Sequence, residues 1–346
     1  DKNSLANYKF VKKGDFIIHL RSFEGGLEVA NSDGIVSPAY IILHPKIEVS
    51  TKFLYALFHT NRFINQTMPP AVEGARDGRS VKYDVLKKQK ISFPPIGEQK
   101  KIAEILATQD RVIELKEKLI AEKQSQKKYL MSVLLGNDFK KPFKLNGATI
   151  DKKKWEKKKL GDICDTFSGG TPSRAHPEYF NGNIPWIKSG ELNQENIYET
   201  KEFLTKKGIE SSSAKMVKKG TLLIAMYGAT AGVLAVSHIE AAINQAILAL
   251  IPNIDINPFY MKSAIANQID VAVHRLVQGG QPNFNASIIN SFELRLPTLS
   301  EQKAIADVLS AADEEISLLQ KSLEQEKLKK KSLMQLLLTG LVRVNE

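Results

Sequence analysis

The hydrophobic and polar positions of this chain follow one pattern twice, about 203 to 206 residues apart. Runs of β-branched and aromatic residues bounded by turn residues predict strands. They lie at Asp15–Leu20, Ala39–Leu43 and Lys90–Phe93 in the first copy, and at Thr221–Met226, Ala246–Ile251 and Phe292–Leu296 in the second. Helical spacing predicts helices at Thr51–Ile64 and Pro258–Leu276. Each copy is therefore predicted to be a mixed α+β globule.

The residue identities repeat along with the hydrophobic pattern. "FPPIGEQKKIAEIL" (93–106) returns as "LPTLSEQKAIADVL" (296–309), and "FVKKGDFIIHL" (10–20) returns as "MVKKGTLLIAM" (216–226). Similarity at a fixed long period is typical of structural units in tandem. Pro94 and Pro297 are each expected to end a strand just before a long helix.

The long helix of the second copy carries a coiled-coil seam. Its apolar residues recur at spacings of 4, 3, 4, 3 and 4, which is a heptad pattern: Ile305, Leu309, Ala312, Ile316, Leu319 and Leu323. Ser300 is a candidate cap for its first turn. The helix of the first copy, Glu98 to Leu135, has a more polar seam: Ile102, Leu106, Gln109, Ile113, Lys116 and Ile120. It therefore needs a partner, for which its own twin in antiparallel orientation is expected; the alternative is a lone amphipathic helix on its own globule.

The predicted fold class is α+β, with two mixed domains in tandem, each followed by a long helix, and the two helices paired with pseudo-twofold symmetry. The predicted boundaries are a first domain, a central helix, a linker, a second domain and a C-terminal helix at 1–96, 97–137, 138–154, 155–298 and 299–340.

Composition narrows the class of partner. Among 346 residues the formal net charge is +11, and such an excess favours a polyanion, nucleic acid first. The single cysteine, Cys164, excludes an internal disulfide and a Cys-rich zinc cluster, which fits a reducing cytoplasm. No run of 18 apolar residues is present, so no membrane partner is expected.

Pseudo-twofold symmetry matches duplex DNA that is read at two separated places. The two frames agree, but the loops "EGARDGRSVKYDVL" (73–86) and "VQGGQPNFNASIIN" (277–290) differ. The sequence therefore predicts an asymmetric, bipartite DNA site, with the helices setting the gap between its halves.

Catalytic signatures are absent from the sequence. It contains no Gly-x-x-x-x-Gly-Lys-Ser/Thr, no His-Glu-x-x-His and no Asn/Asp-Pro-Pro-Tyr. We therefore predict that the chain is not an enzyme by itself, has no catalytic residue and no metal site.

Polar residues in loops are the candidates for contact with DNA, because Arg pairs well with guanine and Asn or Gln with adenine. In the second copy they are Ser173, Arg174, Tyr179, Lys188, Tyr227, Gln281, Asn283 and Asn285. In the first copy they are Arg21, Arg76, Arg79 and Lys82. The alternative for Asn and Gln is local turn chemistry, and for the basic loop of the first copy it is simple solvation.

The chain resembles the specificity (S) subunit of type I restriction-modification systems over essentially its whole length. The resemblance rests on the repeated Pro-x-x-x-Glu-Gln-x-x-Ile-Ala type motif, together with "SGGTPSR" (168–174), "IPWIKSGEL" (184–192), "INQA" (243–246) and "GGQPNFN" (279–285). Each motif alone is weak, but their order on a repeat is specific.

The resemblance implies a DNA-bound, cytoplasmic protein of phage defence. Each globule would be a target recognition domain for half of a double-stranded DNA site, and the helices would be spacers that dock two methyltransferase (M) subunits. S-adenosylmethionine, Mg and ATP would belong to the M subunits and the restriction/translocase (R) subunits, with none bound by this chain. The alternative from another class is a coiled-coil scaffold whose globules bind protein.

The chain departs from the family pattern at its start. The second copy opens near Trp155, and about fifty residues that match Trp155 to Ile209 have no equivalent before the first copy. We therefore expect the first recognition domain to be N-terminally incomplete in this chain.

Overall fold

The computed structural model of the chain describes residues 7–19, 26–74, 80–136, 141–192, 195–276 and 283–344. It divides into two compact units, of which unit 1 comprises residues 1–121 and 317–346, and unit 2 comprises residues 122–316. Two 40-residue helices, α3 and α8, contribute to both units. They run from Ile96 to Leu135 and from Leu299 to Leu338.

Unit 1 is built on a three-stranded antiparallel sheet of order β3–β2–β5, beside the ribbons β1–β4 and β6–β7. Its strands are β1 (Lys9–Val11), β2 (Phe16–Ile18), β3 (Glu28–Val29), β4 (Gly34–Val36), β5 (Ile41–Leu43), β6 (Val72–Glu73) and β7 (Ser80–Val81), and its short helices are α1 (Thr51–Phe58) and α2 (Tyr83–Leu86). Helix α1 is amphipathic, and its buried face, which includes Phe53 and Leu57, packs with Phe16 and with the start of α3 in one core.

Unit 2 contains a five-stranded sheet of order β11–β19–β16–β17–β13, a four-stranded sheet of order β14–β12–β18–β15, and the pairs β8–β9 and β10–β20. Its strands are β8 (Phe143–Leu145), β9 (Ala148–Ile150), β10 (Glu156–Lys159), β11 (Cys164–Ser168), β12 (Phe180–Ile187), β13 (Asn196–Ile197), β14 (Glu202–Leu204), β15 (Lys215–Val217), β16 (Leu222–Ala225), β17 (Leu234–Ser237), β18 (Ala241–Ile243), β19 (Ile247–Pro252) and β20 (Glu293–Leu296). Its short helices are α4 (Leu160–Ile163), α5 (Lys206–Glu210), α6 (Pro258–Leu276) and α7 (Ala286–Asn290). Apolar side chains between the sheets and α6 form its cores.

The predicted repeat is present as one strand frame with one register. In unit 1, Phe16 of β2 lies opposite Leu43 and Val29; in unit 2, Leu222 of β16 lies opposite Leu250 and Val236. The ribbon β1–β4 likewise repeats the pairing of β15 with β18. Since register decides which face each side chain takes, the same alternating pattern builds the same sheet twice.

Two predicted elements of the first copy are wrong. Residues 90–93 form no strand, whereas their equivalent β20 pairs with β10. A strand needs a neighbour to satisfy its backbone, and the described part of unit 1 offers none at this place. The predicted helix Thr51–Ile64 ends at Phe58, and a short π turn follows at Phe63–Thr67.

The glutamine of the repeated Glu-Gln motif joins three elements in unit 2. Gln302 is 3% exposed. Its Nε2 donates to the carbonyl of Pro297 (2.9 Å), and its Oε1 accepts the N–H of Asn257 (2.8 Å) just before α6. One buried amide therefore ties the end of β20, the start of α6 and the start of α8.

The same bonds recur in unit 1. Gln99 is 2% exposed, its Nε2 donates to the carbonyl of Pro94 (2.8 Å), and its Oε1 accepts the N–H of Ser50 (2.9 Å), the residue that caps α1. The repeated glutamine is thus a structural joint, which gives the motif a reason that its spacing alone did not supply.

The glutamate of the motif accepts different donors in the two units. Glu301 accepts the indole N–H of Trp155 (3.0 Å) and the backbone N–H of Asp151 (3.0 Å). Glu98 instead accepts two bonds from the guanidinium of Arg343 (Nε 2.8 Å, Nη2 2.6 Å) and the N–H of Val344 (3.0 Å). In each unit the glutamate therefore holds the segment that follows the opposite long helix.

The long helices pair antiparallel. In unit 1 Asp110 contacts Lys330 (2.5 Å) and Lys116 contacts Glu326 (3.0 Å), so residue numbers rise along one helix as they fall along the other. In unit 2 Lys123 contacts Glu315 (2.7 Å) in the same sense. Side chains at the heptad positions are buried or half-buried: Ile102, Leu106, Ile113, Ile120, Ile305, Leu309, Ile316, Leu319 and Leu323.

The cap of α8 differs from the prediction. The helix begins at Leu299, and Thr298 rather than Ser300 precedes it. The N–H of Glu301 donates to Thr298 Oγ1 (3.4 Å), and the N–H of Thr298 donates to Glu301 Oε2 (3.0 Å). This reciprocal arrangement is a capping box, for which Thr-x-x-Glu is the sequence signature.

Candidate nucleic-acid interface

Loops from both sheets of unit 2 meet at one end of the strands. The loop after β11 is fixed by the N–H of Gly170, which donates to the carbonyl of Ile243 (3.1 Å). A Cβ on Gly169 would lie 1.8 Å from that same carbonyl oxygen, so only glycine permits this approach. The N–H of Asn244 donates to the carbonyl of Ile187 (3.1 Å). The ends of β11, β12 and β18 are therefore held together.

Two further loops join the same edge. Thr230, in the glycine-rich loop between β16 and β17, donates its hydroxyl to the carbonyl of Ser189 (3.0 Å). The N–H of Phe284 donates to the carbonyl of Met226 (2.7 Å), which attaches the segment before α7 to the end of β16. Both contacts end on backbone carbonyls of the strand frame, so the exposed side chains of these loops can differ while the frame stays the same.

Arg174 and Lys188 are drawn together by one carboxylate. Arg174 Nη2 donates to Glu202 Oε2 (2.7 Å), and Lys188 Nζ donates to Glu202 Oε1. The guanidinium carbon of Arg174 lies 4.4 Å from the centre of the Phe180 ring, and the Lys188 ammonium lies 6.0 Å from that of Trp186. Two of the predicted contact residues thus form a single basic cluster with an aromatic floor.

The backbone of β12 brings Phe180 under Arg174. A bulge places both Phe180 and Ile184 opposite Leu204 of β14. Asn181 takes the left-handed conformation (φ 58°), and a Cβ on Gly182 would lie 2.3 Å from the carbonyl oxygen of Leu204. Bulges re-aim side chains, and here the bulge turns an aromatic ring toward the loop that carries Arg174.

Ser173 and Tyr179 lie on the same loop as Arg174. The carbonyl of Ser173 accepts the N–H of His176 (3.2 Å), so Ser173 shapes the turn. The ring of Tyr179 stacks on His176 at 4.8 Å, and the ammonium of Lys207 lies 5.8 Å from its centre. Tyr179 is therefore already engaged with neighbours on both sides.

Tyr227, Asn283 and Asn285 line one pocket with Phe284. Tyr227 is 37% exposed and Asn283 is exposed. The side chain of Asn285 accepts the N–H of Ile288 (2.8 Å) and caps α7. This contact is the local backbone chemistry that the sequence offered as the alternative for Asn285, while its exposed edge still faces solvent.

In unit 1, Lys82 pairs with Glu73 (2.5 Å) beside the β6–β7 ribbon, and both side chains are more than half exposed. The other predicted residues of this unit, Arg21, Arg76 and Arg79, lie outside the described residues, as does Gln281 of unit 2.

Gln245 is a residue of this edge that sequence reasoning missed. Its Oε1 accepts the hydroxyl of Thr171, which links the turn between β18 and β19 to the "GGTP" loop. The motif "INQA" was visible as part of the family resemblance but not as the source of a contact residue. The available signal was a polar side chain directly before the predicted strand Ala246–Ile251.

The carboxylate that pairs with Arg174 and Lys188 is charged at neutral pH. The hydrogen bond from Lys188 and then that from Arg174 hold the pKa of Glu202 below its usual range, so it is a carboxylate at neutral pH.

Burial raises the pKa of the Cys164 thiol to about 11, which leaves it protonated and unreactive. Within the described residues, no group of three or more His, Cys, Asp or Glu could hold a metal ion, and no helix is long and apolar enough to cross a membrane.

Known proteins resemble this chain in sequence. A family model described as type I restriction modification DNA specificity domain matches residues 4–123 and 152–328. The MjaVIII specificity subunit of Methanocaldococcus jannaschii is 26% identical over an alignment that covers 96% of this chain and 80% of that protein. The MjaIX specificity subunit of the same organism is 30% identical over 47% of this chain and only 38% of its own length. The chain also spans only 62% of MjaX, at 30% identity.

Solved structures share the fold. A chain from work on the complex assembly and conformational transition of the type I R-M system has a TM-score of 0.64 at 19% identity, over 95% of this chain and 83% of that one. The S subunit of a type I restriction-modification system from M. genitalium has a TM-score of 0.54 at 17% identity, over 95% and 84%. At these identities the likeness is one of fold.

Proposed function

Because the chain belongs to the family of type I restriction-modification DNA specificity domains, we propose that it is the sequence-reading, non-catalytic subunit of such a complex. It recognises an asymmetric, bipartite site on double-stranded DNA and acts in the cytoplasm. The observation that carries the proposal is the edge of unit 2, where five loops bring Arg174, Lys188 and the polar residues Gln245 and Asn283 to one surface.

In this proposal, residues 1–96 and 155–298 are the target recognition domains, 97–137 and 299–340 are spacer helices, and 138–154 is the linker. The residues that contact bases or phosphates in one half-site are Ser173, Arg174, Tyr179, Lys188, Tyr227, Gln281, Asn283 and Asn285. Arg21, Arg76, Arg79 and Lys82 serve the other half-site. The family relationship supports this division.

The partners are two M subunits and, through them, R subunits. The heptad residues hold the helix pair that docks these subunits, and because they are buried or half-buried, we expect the exposed faces of α3 and α8 to make the contacts. S-adenosylmethionine, Mg and ATP then belong to those partners, and adenine methylation is their reaction.

Salt dependence of DNA binding tests the proposal. Neutralising about six phosphates gives a slope near −5 in a plot of log affinity against log salt. The measurement is a fluorescence-anisotropy titration of the full chain on duplex DNA without M subunits, whose own contacts with DNA would add to the slope. A flat line favours a protein-binding scaffold instead and overturns the proposal. Mapping methylated adenines in DNA from cells that carry the complex then gives the target sequence.

Arg174→Ala tests base readout directly. A bidentate contact to guanine is worth about 1–3 kcal/mol, so discrimination at one position of one half-site falls by about tenfold or more. Arg62→Ala, which removes an exposed arginine that is neither on the long helices nor among the predicted contact residues, is the control. If Arg174→Ala weakens binding to every sequence equally, Arg174 contacts phosphate and not a base.

A further inference from the structure

One carboxylate holds both cations of the basic cluster in unit 2. Glu202 accepts from Arg174 Nη2 at 2.7 Å through one oxygen and from Lys188 Nζ through the other. Arg174 comes from the loop after β11 and Lys188 from the end of β12, so Glu202 connects two loops. Its side chain is 31% exposed, and it lies at the surface that the loops form.

The backbone fixes where Glu202 points. It lies directly opposite Trp186, which is 1% exposed, in the β12–β14 pair. On the next turn, Glu191 accepts the N–H of Lys188 (2.9 Å) and the N–H of Lys201 (2.8 Å). The strand that carries Glu202 and the turn that carries Lys188 therefore share anchors and cannot shift independently.

The guanidinium is held from two sides. Its Nη2 donates to Glu202, and its central carbon lies 4.4 Å from the centre of the Phe180 ring and 5.7 Å from that of the Trp186 ring. A guanidinium has five N–H donors, so a bond at one nitrogen leaves a donor edge for a bidentate contact with guanine O6 and N7. A side chain already fixed in this way loses less freedom on binding.

We propose that Glu202 is a specificity-determining, positioning residue of this interface: it orients Arg174 and Lys188 for base recognition and opposes their transfer to phosphates of non-cognate DNA. This inference rests on the proposed function. A phosphate oxygen carries negative charge and meets the repulsion of the carboxylate, whereas the neutral edge of a guanine can accept from the remaining donors of Arg174 without that penalty. Glu202 thus penalises the wrong complex more than the right one.

The test compares Glu202→Gln with Glu178→Gln in the full chain with its M subunits. Glu178 is the matched control, because it lies on the same loop as Arg174, is half-exposed, and pairs with Lys207 (3.6 Å) and His176 (3.2 Å). Both variants remove one negative charge with the same isosteric change. One probe is a randomised duplex library read by selection and sequencing, and the other is a mixed-sequence duplex titrated against salt.

For Glu202→Gln we expect about tenfold lower discrimination, confined to one or two base pairs of one half-site. We also expect about threefold tighter binding to mixed-sequence DNA, with a salt slope steeper by about one, since a released cation meets a phosphate. Glu178→Gln should leave discrimination at the wild-type value. Equal discrimination in the two variants overturns the inference, as does a gain in affinity without loss of discrimination.

Failure of the wild-type complex to prefer any sequence sinks the proposed function itself, so the two failures are distinguishable. Arg174→Lys is a second variant that keeps the charge but lacks the planar fork. It should lose discrimination at the same base pairs as Glu202→Gln, and loss at different base pairs contradicts the inference.

Discussion

The strands β4 and β18 occupy the same place in the two copies, yet their side chains meet different surroundings. Ala242 of β18 is fully buried and packs in one core with Trp186 of β12, the strand that pairs with the outer edge of β18. The equivalent Ile35 of β4 is 56% exposed, and Phe10 opposite it on β1 is 55% exposed. Within the described part of unit 1, no strand pairs with the outer edges of β4 or β5.

Strand register and side-chain burial therefore have different origins in this protein. Alternation of apolar residues fixes the register of a strand pair, and both copies obey it. Burial on the far side depends on strands contributed by another stretch of chain, and only unit 2 has them among the described residues. An open, apolar strand edge is also a template for association with another chain.

Lysine substitutions at the equivalent positions Ala242 and Ile35 should give the largest difference in unfolding free energy between the two units. Ala242→Lys forces a charge into a closed core beside Trp186 and should cost more than about 4 kcal/mol of unfolding free energy, enough to unfold unit 2. Ile35→Lys should change the unfolding free energy by no more than about 0.5 kcal/mol, since its position is open. Thermal unfolding with hydrogen exchange of each unit measures both, and equal losses in the two units would refute the contrast.

Replacement of the repeated glutamine, Gln302 or Gln99, should lower the free energy of unfolding by a large and equal amount in both units. Gln302→Ala leaves a buried N–H and a buried carbonyl without partners, which costs about 3 kcal/mol, and Gln99→Ala should cost a similar amount because its bonds are the same. Gln325→Ala, at an exposed site on α8, is the control and should be near neutral. Denaturant midpoints that fall in one unit only would show that the joints are not equivalent.

Protonation or replacement of the motif's glutamate should have a smaller effect on stability. In unit 1 this effect should be confined to the C-terminal segment that Glu98 binds. The hydrogen bond from Arg343 holds the pKa of Glu98 below its usual range. A lowered pKa stabilises the fold above the ordinary carboxyl pKa of about 4.3, and that contribution disappears as pH falls through the lower, folded value. The protection factor of the Val344 amide against hydrogen exchange, relative to the intrinsic rate at each pH, should therefore fall in acid, and Glu98→Gln should lower it already at neutral pH.

Glu301 of unit 2 is the equivalent residue with which Glu98 is compared. Burial alone would raise its pKa, but hydrogen bonds from Trp155, Asp151 and Thr298 keep it below the usual range. Because the indole N–H of Trp155 is buried while the guanidinium of Arg343 is largely exposed, Glu301→Ala should disturb its unit more than Glu98→Ala does. The reverse order would contradict this interpretation of the two glutamates.

The candidate site was only partly readable from the sequence. Arg174 and Lys188 were identifiable as basic residues in loops, but their common partner Glu202 was not, because 28 and 14 positions separate it from them and only the β12–β14 pairing brings them together. Asn285 shows the opposite case: its residue type suggested base readout, and the structure uses its side chain as a helix cap.

By itself the sequence determined the tandem frame, the paired long helices with their heptad seam, and the membership of a DNA-reading family, since periodicity and repeated motifs are local records of which faces must be buried. Only the tertiary structure decided that residues 90–93 form no strand, that Glu98 and Glu301 hold different segments, and that one carboxylate organises Arg174 and Lys188. These outcomes depend on which distant segment becomes the neighbour, and a one-dimensional pattern of hydrophobicity does not encode that neighbour.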